Sequence, residues 1–154
     1  MQPLPEPTRR LPDAARWYWR TRGLLQGAAA IVAALAAAGE LGDLWWLALL
    51  VAVAAAAALA GLVPELRWRR WRYEVRDDEI DLRHGTFVVR RTLIPIRRVQ
   101  HVDTEAGVLR GAFGLARVTF HTAAGGVDIP ALGRGEAENV RARVARLARS
   151  RDDA

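Results

Sequence analysis

LWWLALLVAVAAAAALAGLV, Leu44 to Val63, is a run of 20 residues without a charge. As a helix rising ~1.5 Å per residue it is ~30 Å long, the thickness of a bilayer's hydrocarbon core. Upstream, Gly23 to Ala38 reads GLLQGAAAIVAALAAA, a second apolar block that Leu41 can extend. Trp17, Tyr18 and Trp19 precede it and read as an interfacial belt. Half of this block is alanine, so its insertion would be helped by pairing with the second helix through small residues such as Gly23 and Gly27. Only GELGD, Gly39 to Asp43, separates the two blocks, which leaves room for a tight antiparallel reversal and nothing more. The reading is a two-helix transmembrane hairpin over residues 23–63, with spans at about 23–41 and 44–63.

Charge sets its orientation. Arg9, Arg10, Arg16, Arg20 and Arg22 precede the hairpin, Arg67, Arg69, Arg70, Arg72 and Arg76 follow it, and the connecting loop carries Glu40 and Asp43. Basic residues stay on the cytoplasmic side, so both termini are expected there in a multi-pass protein of the plasma (inner) membrane. Residues 1–22 are then a cytoplasmic segment and residues 65–154 a cytoplasmic domain. An alternative takes residues 9–38 as a signal peptide with Ala36-Ala37-Ala38 as the cleavage site. The basic cluster after Val63 would still hold the C-terminal part inside. A soluble protein burying both blocks is excluded by size, since so short a chain has no mantle to cover 20 apolar residues on every face.

The chain is 51% hydrophobic and 26% charged, an average taken over a membrane part and a charged soluble part of one-domain size. With no cysteine, disulfides, thiol catalysis and thiolate metal sites are excluded. All 23 basic side chains are arginine, a bias that the codon usage of a GC-rich bacterial genome explains better than selection for phosphate contacts.

After Pro64 the pattern changes to short apolar-polar alternation broken by turn signals, as in antiparallel strands with one wet face. Strands are expected at Trp71 to Val75, around Ile80 and Leu82, at Phe87 to Ile94, Arg98 to Thr104, Arg117 to Thr122 and Val127 to Leu132, with Gly125-Gly126 as a hairpin turn. Ala137, Val140, Val144, Leu147 and Ala148 then fall on one face of a C-terminal helix. The expected fold is therefore α+β: the transmembrane hairpin, then a meander of about six strands closed into a partial barrel and capped by the last helix.

RYEVRDDEIDLRHG, RTLIPIRRVQHVDTEAG, RGAFGLARVTFHTAAGG and IPALGRGEAENVRARV follow one another between Arg72 and about Ala148. With Ile94-Pro95, Arg98-Val99-Gln100, Phe113-Gly114-Leu115-Ala116 and Thr122-Ala123 in that order, the segment resembles the bacterial pleckstrin-homology (PH)-like domain of YdbS-like membrane proteins. The resemblance implies a PH-like antiparallel β-barrel on the cytoplasmic face, preceded by two transmembrane helices. It also implies a role in envelope stress or in protection against antimicrobial peptides.

The arginines are the candidates for contact. Arg67, Arg69, Arg70 and Arg72 follow the second span and can meet anionic headgroups, at about 1 kcal/mol for each basic residue near the surface. Arg90, Arg91, Arg97 and Arg98 flank TLIPI and are candidates for a partner or phosphate. The first strand turn, Arg76-Asp77-Asp78-Glu79, is too acidic for the basic headgroup loop of lipid-binding PH domains. His101 and Asp103 share a strand face, but the spacing brings no further imidazole to them, so neither metal nor cofactor is expected. Thr119 with His121 is ordinary strand alternation, and no Gly-rich phosphate loop precedes a helix. The expectation is a non-catalytic adaptor at the bilayer, docking another PH-like membrane protein or a second copy, with anionic-lipid sensing as the alternative and no nucleic-acid partner.

Overall fold

In the computed structural model, which describes residues 5–40 and 42–152, the chain folds into a pair of long helices, two small sheets and a C-terminal helix. α1 runs from Asp13 to Ala36. A turn of 3-10 helix (Gly42–Leu44), α2 (Trp45–Ala57), a π-helical turn (Ala58–Leu62) and α3 (Val63–Arg70) form one continuous helix, Gly42–Arg70. Among the described residues it is the one helix long and apolar enough to cross a membrane. Leu47, Leu50, Val51, Val53 and Leu62 are exposed along it. Pro64 explains the π turn, because its ring lacks an N–H and collides with the carbonyl four residues earlier.

α1 starts well before Gly23 and stops short of Ala38; Leu41, expected to extend it, lies outside the described residues. Its buried residues, Ala15, Tyr18, Trp19, Gly23 and Gly27, form one stripe at helical spacing. The stripe serves two neighbours. Gly23 meets Leu59 and Ala60 while Gly27 meets Ala56, so α1 packs antiparallel on the second helix. Tyr18 and Trp19 belong to the core of the β domain, leaving Trp17 exposed, so the three aromatics do not make the common belt read from the sequence.

β1 (Arg72–Val75), β2 (Glu79–His84) and β3 (Arg90–Pro95) form one antiparallel sheet, and β4 (Val99–Glu105), β5 (Leu115–Thr122) and β6 (Gly125–Gly133) a second. The six expected strands are present, but the sheets are not closed into a barrel: among the described residues β3 pairs with β2 and β4 with β5. Pro95 has no N–H to continue a ladder, and a 3-10 turn, Ile96–Arg98, carries the chain out of the first sheet. β3 begins at Arg90 rather than Phe87, because Gly85 at φ +136° starts a turn that leaves Phe87, Val88 and Val89 exposed. The β5–β6 turn lies at Ala123-Ala124, one step before the glycine pair. The Thr122 hydroxyl accepts the Ala124 N–H and donates to the Gly125 carbonyl, closing the turn through a side chain. Between β4 and β5 a short helix, α4 (Val108–Ala112), occupies the glycine-bearing stretch.

α5 (Arg134–Asp152) lays Ala137, Val140 and Val144 into the core as expected. They share one core with Ile80, Leu82, Leu115, Val118, Phe120 and Ile129 from both sheets. The N-terminal segment joins the same core through Leu11, and the Arg9 carbonyl accepts the Tyr73 N–H at 3.0 Å, adding a bridge to the edge of β1.

Candidate functional site: the helix-proximal end of the domain

β1 begins almost as soon as α3 ends, with Trp71 alone between them. In the first sheet Arg72 is opposite Arg83, and His84 is opposite Arg90. The β2–β3 loop therefore projects from the sheet at the end where the long helix enters it. Arg70 fixes it there by donating to the carbonyls of Thr86 and Phe87. Phe87 and Val88, 77% and 71% exposed, form the tip.

Beside this loop is a cleft of about 460 Å³ between the sheets, lined by Arg67, Trp71, His84 and Arg90 on one side and by Val127 and Asp128 on the other. Arg67 lies with its guanidinium 4.4 Å from the centre of the Trp19 ring. His84 stacks on Trp71 with ring centres 5.5 Å apart. Burial pushes the His84 imidazole below its ordinary pKa; Asp128 opposes that shift, and the positive charges of Arg67 and Arg90 add to it. Two basic side chains, a half-buried neutral imidazole and one carboxylate make a cleft suited to an anion with a hydrogen-bonding group, such as a headgroup phosphate.

The remaining expected contact residues are distributed differently. Arg69 pairs with Glu65 at 2.7 Å, and Glu65 also draws Arg20 to 3.3 Å and Arg16 to 3.6 Å. Three arginines from α1 and α3 are thus held by one carboxylate. Arg72 donates to the Trp71 carbonyl at 2.7 Å. Arg91 is bound to the buried Asp81. Arg97 and Arg98 are exposed in the turn after β3, ~17 Å of strand away from Arg90, so the two arginine pairs do not form one patch. Arg67 and Arg90, from separate sequence clusters, are the two that line one cleft. On the outer face of the second sheet, β4–β5 pairing brings His121 opposite His101 and next to Asp103. Sequence spacing could not reveal that convergence, because the register across a connection containing α4 is not legible in the residues.

The family described as Bacterial PH domain matches residues 26–148. The UPF0699 transmembrane protein YdbS of Bacillus subtilis is 49% identical over 90 residues, covering 58% of this chain and 57% of that protein. The UPF0699 transmembrane protein YdbT of the same organism is 36% identical over 67 residues, covering 44% of this chain and 14% of that protein. The chain thus spans less than two thirds of the length of either relative. No solved structure matches it significantly.

Proposed function

Since this chain belongs to the bacterial PH domain family, we propose that it is a non-catalytic membrane adaptor, crossing the bilayer twice with both termini cytoplasmic and offering its PH-like domain to a protein partner. The partner is a second PH-like membrane protein or another copy of this chain. The observation that carries this reading is the outer edge of β3, which has no strand beside it among the described residues and exposes Leu93. An open edge takes up a partner strand through main-chain hydrogen bonds. Anchoring both proteins in one membrane raises their effective concentration, so a small interface suffices. A relative with a transmembrane name and the apolar helix Gly42–Arg70 support membrane attachment. The antiparallel packing of α1 supports the second span.

Photocrosslinking in native membranes tests the docking, with the probe at Leu93 and a reference probe at Glu138 on α5. Capture of a PH-domain protein or a second copy from Leu93 alone is expected; the same products from both positions would overturn it. The cysteine-free sequence makes topology equally accessible. A cysteine at Glu40 should react with an impermeant maleimide added outside intact cells, and one at Glu138 should not.

The cleft favours a second reading, in which the domain also rests on anionic lipid. The β2–β3 loop lies at the end where the apolar helix emerges, carries Phe87 and Val88 at its tip, and has Arg67 and Arg90 behind it. Apolar residues inserted at the headgroup level and arginines against phosphates are the usual division of labour at such surfaces. An environment-sensitive fluorophore on a cysteine at Val88 should report an apolar setting in phosphatidylglycerol nanodiscs. A water-like signal there would remove this reading.

A further inference from the structure

We propose that His101, Asp103 and His121 form a binding site for a divalent first-row transition ion of the zinc class, on the outer face of the second sheet. Cross-strand pairing places His101 directly opposite His121, and Asp103 follows His101 on the same face of β4. The Asp103 Oδ2 is 3.1 Å from His121 Nε2 and 3.7 Å from His101 Nε2. Ligands at ~2.1 Å from a tetrahedral zinc are separated by ~3.4 Å along each edge, so both distances bracket the required spacing. One ligand atom from each of the three residues falls within 4.8 Å of the others.

The chemistry of the set selects the ion. Two imidazoles and one carboxylate suit zinc, copper, nickel or ferrous iron, whereas magnesium and calcium want several oxygens and find one carboxylate here. The imidazoles are stacked, with ring centres 4.2 Å apart and planes 11° from parallel. Binding requires the exposed His101 ring to rotate out of this stack, which the broad terminal torsion of histidine permits. Three protein ligands leave at least one coordination position for water or for a donor from another molecule.

The site is independent of the membrane reading, and its test is calorimetric titration of zinc chloride into untagged, chelator-treated full-length chain in detergent. One saturable ion per chain is expected. His101→Gln and His121→Gln should each weaken binding at least ~10-fold, Asp103→Asn should also weaken it, and His84→Gln should leave it unchanged. Cobalt in place of zinc should give the visible absorption of a low-coordinate nitrogen and oxygen site that is lost in the double histidine variant. Absence of saturable binding at millimolar zinc would overturn the proposal, as would binding unchanged in the double variant. In either case the His121–Asp103 contact would be an ordinary polar contact at the surface.

Discussion

Arg91 holds Asp81 with two nitrogens, Nε to Oδ1 at 3.0 Å and Nη2 to Oδ2 at 2.6 Å, and the carboxylate is fully buried. Arg76 approaches the same Oδ2 at 3.3 Å. The planar fork of a guanidinium matches a carboxylate in a way that Lys does not. Removing it leaves a buried charge to the longer Arg76 contact. Arg91→Ala is therefore expected to lower the Tm by several degrees, measured by near-ultraviolet circular dichroism in detergent. Arg90→Ala, one residue away and exposed, should change it little.

The helix pair is held at two glycines. A Cβ on Gly23 would lie 2.1 Å from the Leu59 carbonyl oxygen, and one on Gly27 would lie 2.4 Å from the Ala56 Cβ. Neither obstacle is the end of a flexible side chain, so the helices would have to separate. Gly23→Val and Gly27→Val should each cost about 1–3 kcal/mol, the range for overpacked interiors. Gly39→Ala, with open space around it, should be neutral. Thermal aggregation in mild detergent distinguishes the three.

Local periodicity carried much of the architecture. Val118 and Phe120 alternate into the core and Ala137, Val140 and Val144 recur at helical spacing, so β5 and α5 are readable from their own residues. The stripe Ala15, Tyr18, Trp19, Gly23 and Gly27 was also there to be read, but a run of aromatics before an apolar block has a competing explanation as a membrane-interface belt. What periodicity does not contain is pairing at a distance. Arg67 and Arg90 line one cleft because β1 leaves α3 at the end where the β2–β3 loop projects. His101 and His121 meet because of a register set across α4. Both depend on topology, which lies beyond the span of any local pattern.

Glu65 is the counter-charge for a basic collar on the packed helices α1 and α3. Its carboxylate is within 4 Å of Arg16, Arg20 and Arg69, which come from both helices. Glu65→Gln keeps the size and a hydrogen-bonding oxygen but leaves three guanidinium groups close together without a negative partner. A looser helix pair is expected, seen as faster protease cleavage between residues 5 and 12. High salt should reduce the difference from the parent chain, because screening weakens the repulsion.

His84 couples the domain to pH. Burial against Trp71, reinforced by Arg67 and Arg90, lowers its pKa from the ordinary 6.5, so the folded state disfavours the imidazolium. The sign follows from proton counts. Below 6.5 and above the lowered value, the unfolded chain holds a proton that the folded chain does not, and stability rises with pH across that interval. The contribution of the neutral imidazole is complete above 6.5 and is lost as the pH falls through the folded-state pKa. His84→Phe keeps an aromatic ring over Trp71 and removes the titration. Its Tm should fall less steeply as the pH drops below 6.5 than that of the parent chain, while the two should run parallel above pH 7. Equal slopes on the acid side would mean that the imidazole in the folded cleft takes up its proton as readily as one in water.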